Sequence, residues 1–307
     1  MSPVAAIDCG TNSIRLLIAD TDGSGGLVDR DRRTEIVRLG QGVDATGEFH
    51  PDALRRTFAV VDDYAALISA AQVPTDRVHF VATSASRDAK NRDEFFAGVE
   101  QRLGVLPDVI SGDLEARLSY AGALSRVRPA AGPVLVTDIG GGSTEFIVGS
   151  AAGELASARS LDIGSVRITE RFLHAGPPAP EALAAARSYV DQQLDEVGVD
   201  FAGLGSWVGV AGTMTTLAGV FLDLTTYDRE RVHGAVIPRA EVVALSERLD
   251  QLTVAEIRAL PSMHPQRADV IAGGALIAER IAARTGVDLM VSESDILDGI
   301  ALALLTG

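Results

Sequence analysis

Apolar residues recur along the chain with two spacings, one typical of helices and the other of strands. Segment 51–72 places Leu54, Phe58 and Val61 on one stripe of an amphipathic helix. Segment 77–85 is a short apolar run that ends in small polar residues, as a buried strand does. Further strands are predicted at 34–40, 105–110 and 288–294, and further helices at 92–104, from about 113, from 182 to about 197, at 268–285 and at 295–305. Because strands and helices alternate, the pattern predicts an α/β fold with largely covered sheets.

Two similar segments lie about one domain length apart. Residues 5–20 (AAIDCGTNSIRLLIAD) align without a gap with residues 135–150 (LVTDIGGGSTEFIVGS). Both contain the pattern D-x-G-x-x-S between apolar runs, starting at Asp8 and at Asp138. Each copy is typical of a β-hairpin with a tight glycine-containing turn. One such hairpin could be any glycine-rich turn, but two copies favour a duplicated fold.

The segment RPAAGP at 128–133 is the natural boundary between the two copies. The sequence therefore predicts two domains, 1–128 and 129–307, each opening with one hairpin.

Composition narrows the class of protein. The chain of 307 residues carries 27 basic and 42 acidic residues, a net charge of −15. This charge argues against non-specific binding to nucleic acid or to an anionic membrane. The start of the chain does not resemble a signal peptide, and no apolar run approaches the roughly 18 residues of a membrane span. Cys9 is the single cysteine, so no intramolecular disulfide can form. A cytoplasmic protein is expected.

The glycine turns are candidate phosphate sites. Backbone N–H groups in such a turn can converge on an anion, because no Cβ blocks its approach. A third strand-to-helix junction, in AGTMTT, could hold another anion at the start of its helix or could be a plain turn. The candidate phosphate-binding residues are Gly10, Thr11, Asn12 and Ser13 in the first turn, Gly140, Gly141, Gly142, Ser143 and Thr144 in the second, and Gly212 and Thr213 in the third.

Acidic residues accompany the two hairpin turns. Asp8 and Asp138 end strands, where carboxylates can bind Mg²⁺ that is shared with substrate phosphates. Asp138 could instead be a turn-stabilising residue. By strand alternation Glu145 shares a face with Ser143, and Arg15 lies at the equivalent position of the first copy.

Seven motifs together resemble the exopolyphosphatase and guanosine pentaphosphate phosphatase family, within the actin-like ATPase-domain superfamily. They are the first D-x-G-x-x-S (8–13), VATSASRDAKN (81–91), ISGDLEARL (110–118), DIGGGSTEF (138–146), AGTMTT (211–216), QRADVIAGG (266–274) and SESDILDGIAL (292–302). The resemblance implies two duplicated ribonuclease-H-like domains around a central cleft. It also implies that the final helix packs back on the first domain.

The resemblance implies roles for individual residues. Glu115 matches the acid that activates water for attack on the terminal phosphorus, and Glu145 matches a second acid that positions water or metal. Arg87 matches the arginine that holds the phosphate to be cleaved, and Arg15 is expected to face the same site. Mg²⁺ would be held by Asp138, Glu145 and Asp8.

The function implied is Mg²⁺-dependent removal of the terminal phosphate from inorganic polyphosphate by a homodimer, with a preference for short chains. Longer relatives carry an additional helical region that this sequence does not show after Gly307, and many have arginine at the position of Leu297. Hydrolysis of guanosine pentaphosphate is the near alternative. An ATP-dependent kinase of the same superfamily and a non-catalytic binder of guanosine alarmones are the alternatives from other classes.

Overall fold

The structure divides into two compact units. The computed structural model describes residues 2–23, 26–41, 43–82, 86, 89–174 and 176–306. Unit 1 comprises Met1–Ser125 together with Ile296–Gly307, and unit 2 comprises Arg126–Asp295. The domain bounds 1–128 and 129–307 stay a prediction.

Unit 1 is built on a five-stranded sheet. Its strands are β1 (Val4–Cys9), β2 (Ser13–Thr21), β3 (Leu27–Ile36), β4 (Val78–Ala82) and β5 (Asp108–Val109), in the order β3-β2-β1-β4-β5. β1, β2 and β3 form an antiparallel meander, and β4 and β5 continue the sheet parallel to β1. The helices between these strands are α1 (Val43–Thr46), α2 (Pro51–Ala70), α3 (Arg92–Leu103) and α4 (Gly112–Leu124).

The hydrophobic stripe of α2 packs on the sheet and forms part of the core of unit 1. Pro51 stands in the first turn, where its missing N–H costs no hydrogen bond. Leu54, Val61 and Ile68 are buried against the sheet, and the Tyr64 hydroxyl donates to the Ile14 carbonyl at 3.1 Å. The sequence prediction of this helix is confirmed.

The strand predicted at 34–40 is wrong in its bounds, because β3 runs from Leu27 to Ile36. The charged run DRDRRTE is part of the strand. β3 lies at the edge of the sheet, where ion pairs such as Arg33–Asp31 at 2.7 Å neutralise its charges. Because residues 29–35 are mostly charged, hydrophobic periodicity did not predict this part of the strand.

Unit 2 is built on a six-stranded sheet. Its strands are β6 (Pro133–Ile139), β7 (Thr144–Ser150), β8 (Leu155–Leu161), β9 (Ser206–Val210), β10 (Val236–Ile237) and β11 (Leu289–Val291), in the order β10-β11-β9-β6-β7-β8. Its helices are α5 (Ser165–Ile168), α6 (Pro180–Glu196), α7 (Ala211–Phe221), α8 (Arg229–Val232), α9 (Arg239–Asp250), α10 (Val254–Arg258) and α11 (Ile271–Arg284). A π-helical turn, Thr169–Leu173, follows α5.

The two sheets repeat one another. In each, an antiparallel meander of three strands is extended by two parallel strands: β3-β2-β1-β4-β5 in unit 1 and β8-β7-β6-β9-β11 in unit 2. β10 is an additional antiparallel edge strand of unit 2. The duplicated fold predicted from the internal repeat is confirmed, and so is the ribonuclease-H-like architecture that the family resemblance implied.

The last helix, α12 (Ile296–Thr306), belongs to unit 1. It packs against α4 so closely that a methyl group on Gly299 would lie 2.0 Å from the Leu118 carbonyl oxygen. Leu297 is buried in the apolar cluster beneath the helix. The buried Asp298 accepts from Arg32 of β3 at 2.8 Å, which joins both ends of the chain within the unit.

None of the helices in the described part of the chain has the length and apolar composition that crossing a membrane requires.

Candidate active site

The two hairpin turns close with the same hydrogen bond. The Gly10 N–H donates to the Ser13 carbonyl at 3.0 Å, and the Gly140 N–H donates to the Ser143 carbonyl at 3.0 Å. We call Gly10–Ser13 the first turn and Gly140–Ser143 the second turn. Both turns lie at the carboxyl ends of parallel strands, where ligands bind in open α/β sheets. Because the Gly10 and Gly140 amides close their own turns, only the amides that follow them could be offered to an anion.

The carbonyl groups of the second turn face one neighbouring segment, 165–167. Ser165 N–H donates to Gly140 at 2.8 Å, and Val166 and Arg167 N–H donate to Gly141 at 3.0 and 3.2 Å. The Gly142 carbonyl accepts from Arg167 Nε at 3.0 Å.

The direction of these carbonyls determines the direction of the amides. In a planar trans peptide the C=O of one residue and the N–H of the next point to opposite sides. The N–H groups of Gly141, Gly142 and Ser143 therefore point away from segment 165–167. Successive amides on one side of a turn form an anion-binding concavity.

The first turn is held in the same way by segment 37–40. Gly40 N–H donates to the Thr11 carbonyl at 2.8 Å, and Val37 and Arg38 N–H donate to Asn12 at 3.0 and 2.8 Å. The N–H groups of Asn12 and Ser13 are therefore directed away from segment 37–40.

Acidic and hydroxyl side chains form a row across unit 2. Asp138, Glu145 and Ser160 are directly opposite one another on β6, β7 and β8. Glu145 Oε1 accepts from Ser143 Oγ at 2.7 Å and from Ser160 Oγ at 2.9 Å. The sequence predicted Glu145 and Ser143 on one face, but Ser160 could not be found because it comes from the next strand.

The acidic pair fits a magnesium ion. Two like charges directly opposite on neighbouring strands are destabilising, and a bound cation would offset that repulsion. Mg²⁺ is commonly bound by one or two carboxylates together with waters and substrate phosphates. Across the described ranges, no group of three or more histidine, cysteine, aspartate or glutamate side chains forms a complete metal site. Asp138 and Glu145 therefore match a shared magnesium site better than a closed one.

The equivalent row of unit 1 contains an arginine side chain in place of the glutamate. Asp8 and Arg15 are directly opposite on β1 and β2, and Thr34 follows on β3. Arg15 donates to Asp8 Oδ2 from Nε at 3.0 Å and from Nη2 at 2.6 Å. Asp8 is only 4% exposed. Asp8, which was expected to bind a metal, is thus ion-paired with Arg15, which was expected to bind phosphate.

Two of the predicted phosphate ligands direct their hydroxyl groups into the unit. Thr144 Oγ1 donates to the Ile163 carbonyl, and Thr213 Oγ1 donates to the Ile139 carbonyl at 2.9 Å. Both side chains are buried. The Thr213 hydroxyl supports the end of β6 and the Thr144 hydroxyl supports the segment after β8, so both bond to the backbone of the unit.

The third junction has no separate turn. β9 ends at Val210 and α7 begins at Ala211, which has a left-handed φ of 62°. Arg267 lies over Gly212, with Nη1 donating to its carbonyl at 2.5 Å and to Thr216 Oγ1 at 3.1 Å. Sequence analysis gave Arg267 no role, although it stands in the motif QRADVIAGG. The contact of Arg167 with the second turn was also not predicted. The sequence offers no motif for it beyond its place in the segment after β8.

Glu115 lies in the first turn of α4. Ser111 caps this helix, accepting from Leu114 N–H at 3.3 Å through its side chain and from Glu115 N–H at 2.9 Å through its carbonyl. The positive end of the helix dipole favours a charged carboxylate at this position. Arg87 lies outside the described residues.

Cys9 is buried at the end of β1. Burial, and secondarily the charge of Asp8, raises the pKa of the Cys9 thiol well above its usual range. The thiol is therefore protonated and not a nucleophile.

The repeated sheets and the paired glycine turns define a duplicated ribonuclease-H-like protein of the actin-like ATPase class. A family model described as the Ppx/GppA phosphatase family matches residues 17–291, and the chain belongs to this family. It is therefore a phosphatase.

Known relatives agree with this assignment. The chain is 47% identical to a Mycobacterium tuberculosis protein named exopolyphosphatase 2, over 99% of both chains. It is 34% identical to a Pseudoalteromonas translucida protein named guanosine-5'-triphosphate,3'-diphosphate pyrophosphatase, over 71% of this chain and 43% of that one. The crystal structure of the Aquifex aeolicus member of the Ppx/GppA family superposes with a TM-score of 0.87 at 31% identity, covering 99% of this chain and 97% of that one.

Proposed function

We propose that the protein is an exopolyphosphatase that hydrolyses the terminal phosphoanhydride bond of inorganic polyphosphate in the presence of Mg²⁺. The observation that carries the proposal is the second turn. It directs the amides of Gly141, Gly142 and Ser143 to one side and delivers Asp138 and Glu145 at its two ends.

The proposed reaction is an in-line displacement at the terminal phosphorus. The amides of the second turn bind oxygens of the phosphate chain, and Arg87 holds the phosphate to be cleaved. Glu115 accepts a proton from water as the water oxygen bonds to the terminal phosphorus. The bond from phosphorus to the bridging oxygen breaks, and its electron pair stays on the shortened polyphosphate.

Asp138 and Glu145 are the proposed magnesium ligands. A magnesium ion held by these two carboxylates would supply positive charge that offsets the negative charge developing on the phosphate. Asp8 is assigned differently from the sequence expectation. Because it already neutralises Arg15, we propose that it holds this arginine in place for a phosphate oxygen.

Guanosine pentaphosphate is the second candidate substrate. The 34% identity to a relative named for a guanosine substrate favours it, and the same residues would act on its terminal phosphate. A non-catalytic binder of such nucleotides would keep the turns but would not require Glu115.

We extend the proposal to a cytoplasmic homodimer with a part in the stringent response. The family resemblance supports these points, and light scattering after gel filtration tests the dimer.

Orthophosphate release is the decisive measurement. Short polyphosphate, long polyphosphate and guanosine pentaphosphate are compared with Mg²⁺, for the native chain and for Glu115→Gln. The variant should be at least about 10²-fold slower, since that is the usual contribution of a general base. Asp113→Asn, which removes another first-turn acid of the same helix, is the matched control and should keep its activity.

The preferred substrate is the one with the highest kcat/KM. No release from any of the three, by a folded protein that binds them, would refute the hydrolase proposal and support a binder.

A further inference from the structure

We propose that Ser160 is a positioning residue for Glu145, holding its carboxylate in the orientation that binds a divalent cation together with Asp138. This inference rests on the proposed function, in which these two acids are the magnesium ligands. It concerns a residue on the neighbouring strand β8 that no motif of the sequence includes.

The register of the sheet places Ser160 beside Glu145. The pairs Asp138–Glu145 and Glu145–Ser160 are directly opposite one another on successive strands, so the three side chains lie on one face. Side chains at directly opposite positions approach to about 5 Å between their Cβ atoms. The observed 2.9 Å hydrogen bond from Ser160 Oγ to Glu145 Oε1 follows from this register.

A second hydroxyl donates to the same oxygen. Ser143 Oγ, from the second turn, lies 2.7 Å from Glu145 Oε1. The last torsion of a glutamate side chain is soft, so one hydrogen bond leaves the plane of the carboxylate poorly defined. Two donors, one from the turn and one from β8, define that plane.

The acidic pair needs this restraint because its two carboxylates repel each other. A glutamate side chain is long enough to turn away from an aspartate on the next strand. Ser160 restrains that movement, because its hydrogen bond from β8 keeps Oε1 within the row formed by Asp138, Glu145 and Ser160.

The equivalent row of unit 1 has no use for such a donor. Arg15 stands in the place of Glu145, and Thr34 stands in the place of Ser160. A guanidinium group accepts no hydrogen bonds, so a hydroxyl at this place could only accept from it and could not act as a donor. Asp8 holds Arg15 through the ion pair. Of the two rows, only that of unit 2 offers a carboxylate to which the hydroxyl on the third strand can donate.

Cation binding in the absence of substrate tests the proposal directly. The dissociation constant of Mn²⁺ is measured by electron paramagnetic resonance on the full chain, and the Mg²⁺ concentration for half-maximal phosphate release is measured beside it. Ser160→Ala should raise both by about 10-fold, within the range found when a group that orients a metal ligand is removed. Ser160→Thr should restore both, because threonine keeps the hydroxyl and suits a strand.

Ser157→Ala is the matched control. Ser157 lies on the same strand with its side chain on the opposite face, and its removal should change neither constant. Glu145→Gln serves as the reference for loss of the cation ligand.

The outcomes separate the two proposals. If Ser160→Ala binds Mn²⁺ within twofold of the native chain while Glu145→Gln does not, the role of Ser160 is refuted and the acidic pair stands. Failure of Ser160→Thr to restore binding also refutes it, because the hydroxyl would not be the cause. If Glu145→Gln leaves Mn²⁺ binding unchanged, the proposed magnesium pair itself is wrong.

Discussion

The close packing of α12 on α4 can be tested with Gly299→Ala, because the contact leaves no space for the added methyl group. Its Cβ would lie 2.0 Å from the Leu118 carbonyl oxygen and 2.7 Å from the carbonyl carbon. Carbon and oxygen atoms need roughly 3.2–3.5 Å, so the helices must separate by about 1.2 Å. A backbone carbonyl inside a helix cannot rotate away from the clash.

The expected cost of Gly299→Ala is a balance of two effects. Forcing an extra methyl group into a packed contact costs about 1–3 kcal/mol, and more when backbone must move. Alanine in place of glycine within a helix gains about 1 kcal/mol. Because the obstacle is backbone, the upper part of the overpacking range should apply, and the free energy of unfolding should fall by about 1–2 kcal/mol after the gain from alanine is subtracted.

The same change should slow the reaction. Leu118 lies one turn after Glu115 on α4, so a displacement of the helix displaces the proposed base. A shift of about 1 Å in a reacting group can cost up to 10²-fold in rate. We expect kcat to fall at least about 10-fold, with a smaller change in KM.

Urea denaturation and orthophosphate release measure the two effects. Gly286→Ala is the control, because its methyl group would meet no atom within 4 Å and its φ is not left-handed. It should stay within about 0.5 kcal/mol of the native chain. If Gly299→Ala proves as stable and active as this control, the close packing of α12 on α4 is refuted.

Three further changes test other features. Asp8→Asn should lower the free energy of unfolding by about 2–4 kcal/mol in urea, because Arg15 loses its buried counter-charge. Mn²⁺ affinity should change less than twofold, and a tenfold loss would show Asp8 to be a cation ligand. Burial raises the pKa of the Asp250 carboxyl to about 6, and the charge of Arg187 offsets this only in part. Ionisation of Asp250 is therefore unfavourable in the folded state. The stability that the protonated carboxyl contributes is lost as the pH rises from about 4 to 6. Asp250→Asn should therefore gain about 1–3 kcal/mol over the native chain between pH 4.5 and 7 in urea titrations, and a difference independent of pH would contradict this. Ala211→Val should lower the free energy of unfolding by at least about 1 kcal/mol, measured by thermal or urea unfolding, because a branched side chain is strained at a φ of 62°. Ala211→Gly should stay within about 1 kcal/mol of the native chain. Equal stability of the two variants would refute the strain.

The sequence by itself determined the repeated unit of this protein. Strand periodicity and the pattern D-x-G-x-x-S depend on residues close together in the chain, so both hairpins could be recognised and aligned. The same is true of α2 and of the start of α4, whose cap residue, Ser111, stands beside the helix it begins. The charged edge strand β3 was misjudged at its start because its charges form ion pairs within the strand and with β2 and α12, and hydrophobic periodicity does not show these pairs.

Only the tertiary structure decided what the site residues do. The glycine turns offer particular amides because segments 37–40 and 165–167 bind their carbonyls from elsewhere in the chain. Asp8 and Asp138 occupy equivalent positions, yet one is paired with an arginine and the other faces a glutamate. Arg267 reaches Gly212 from a distant segment, as Ser160 reaches Glu145 from the next strand. Local pattern specifies strands, turns and helices, whereas hydrogen bonds and charges depend on which distant residues the fold brings together.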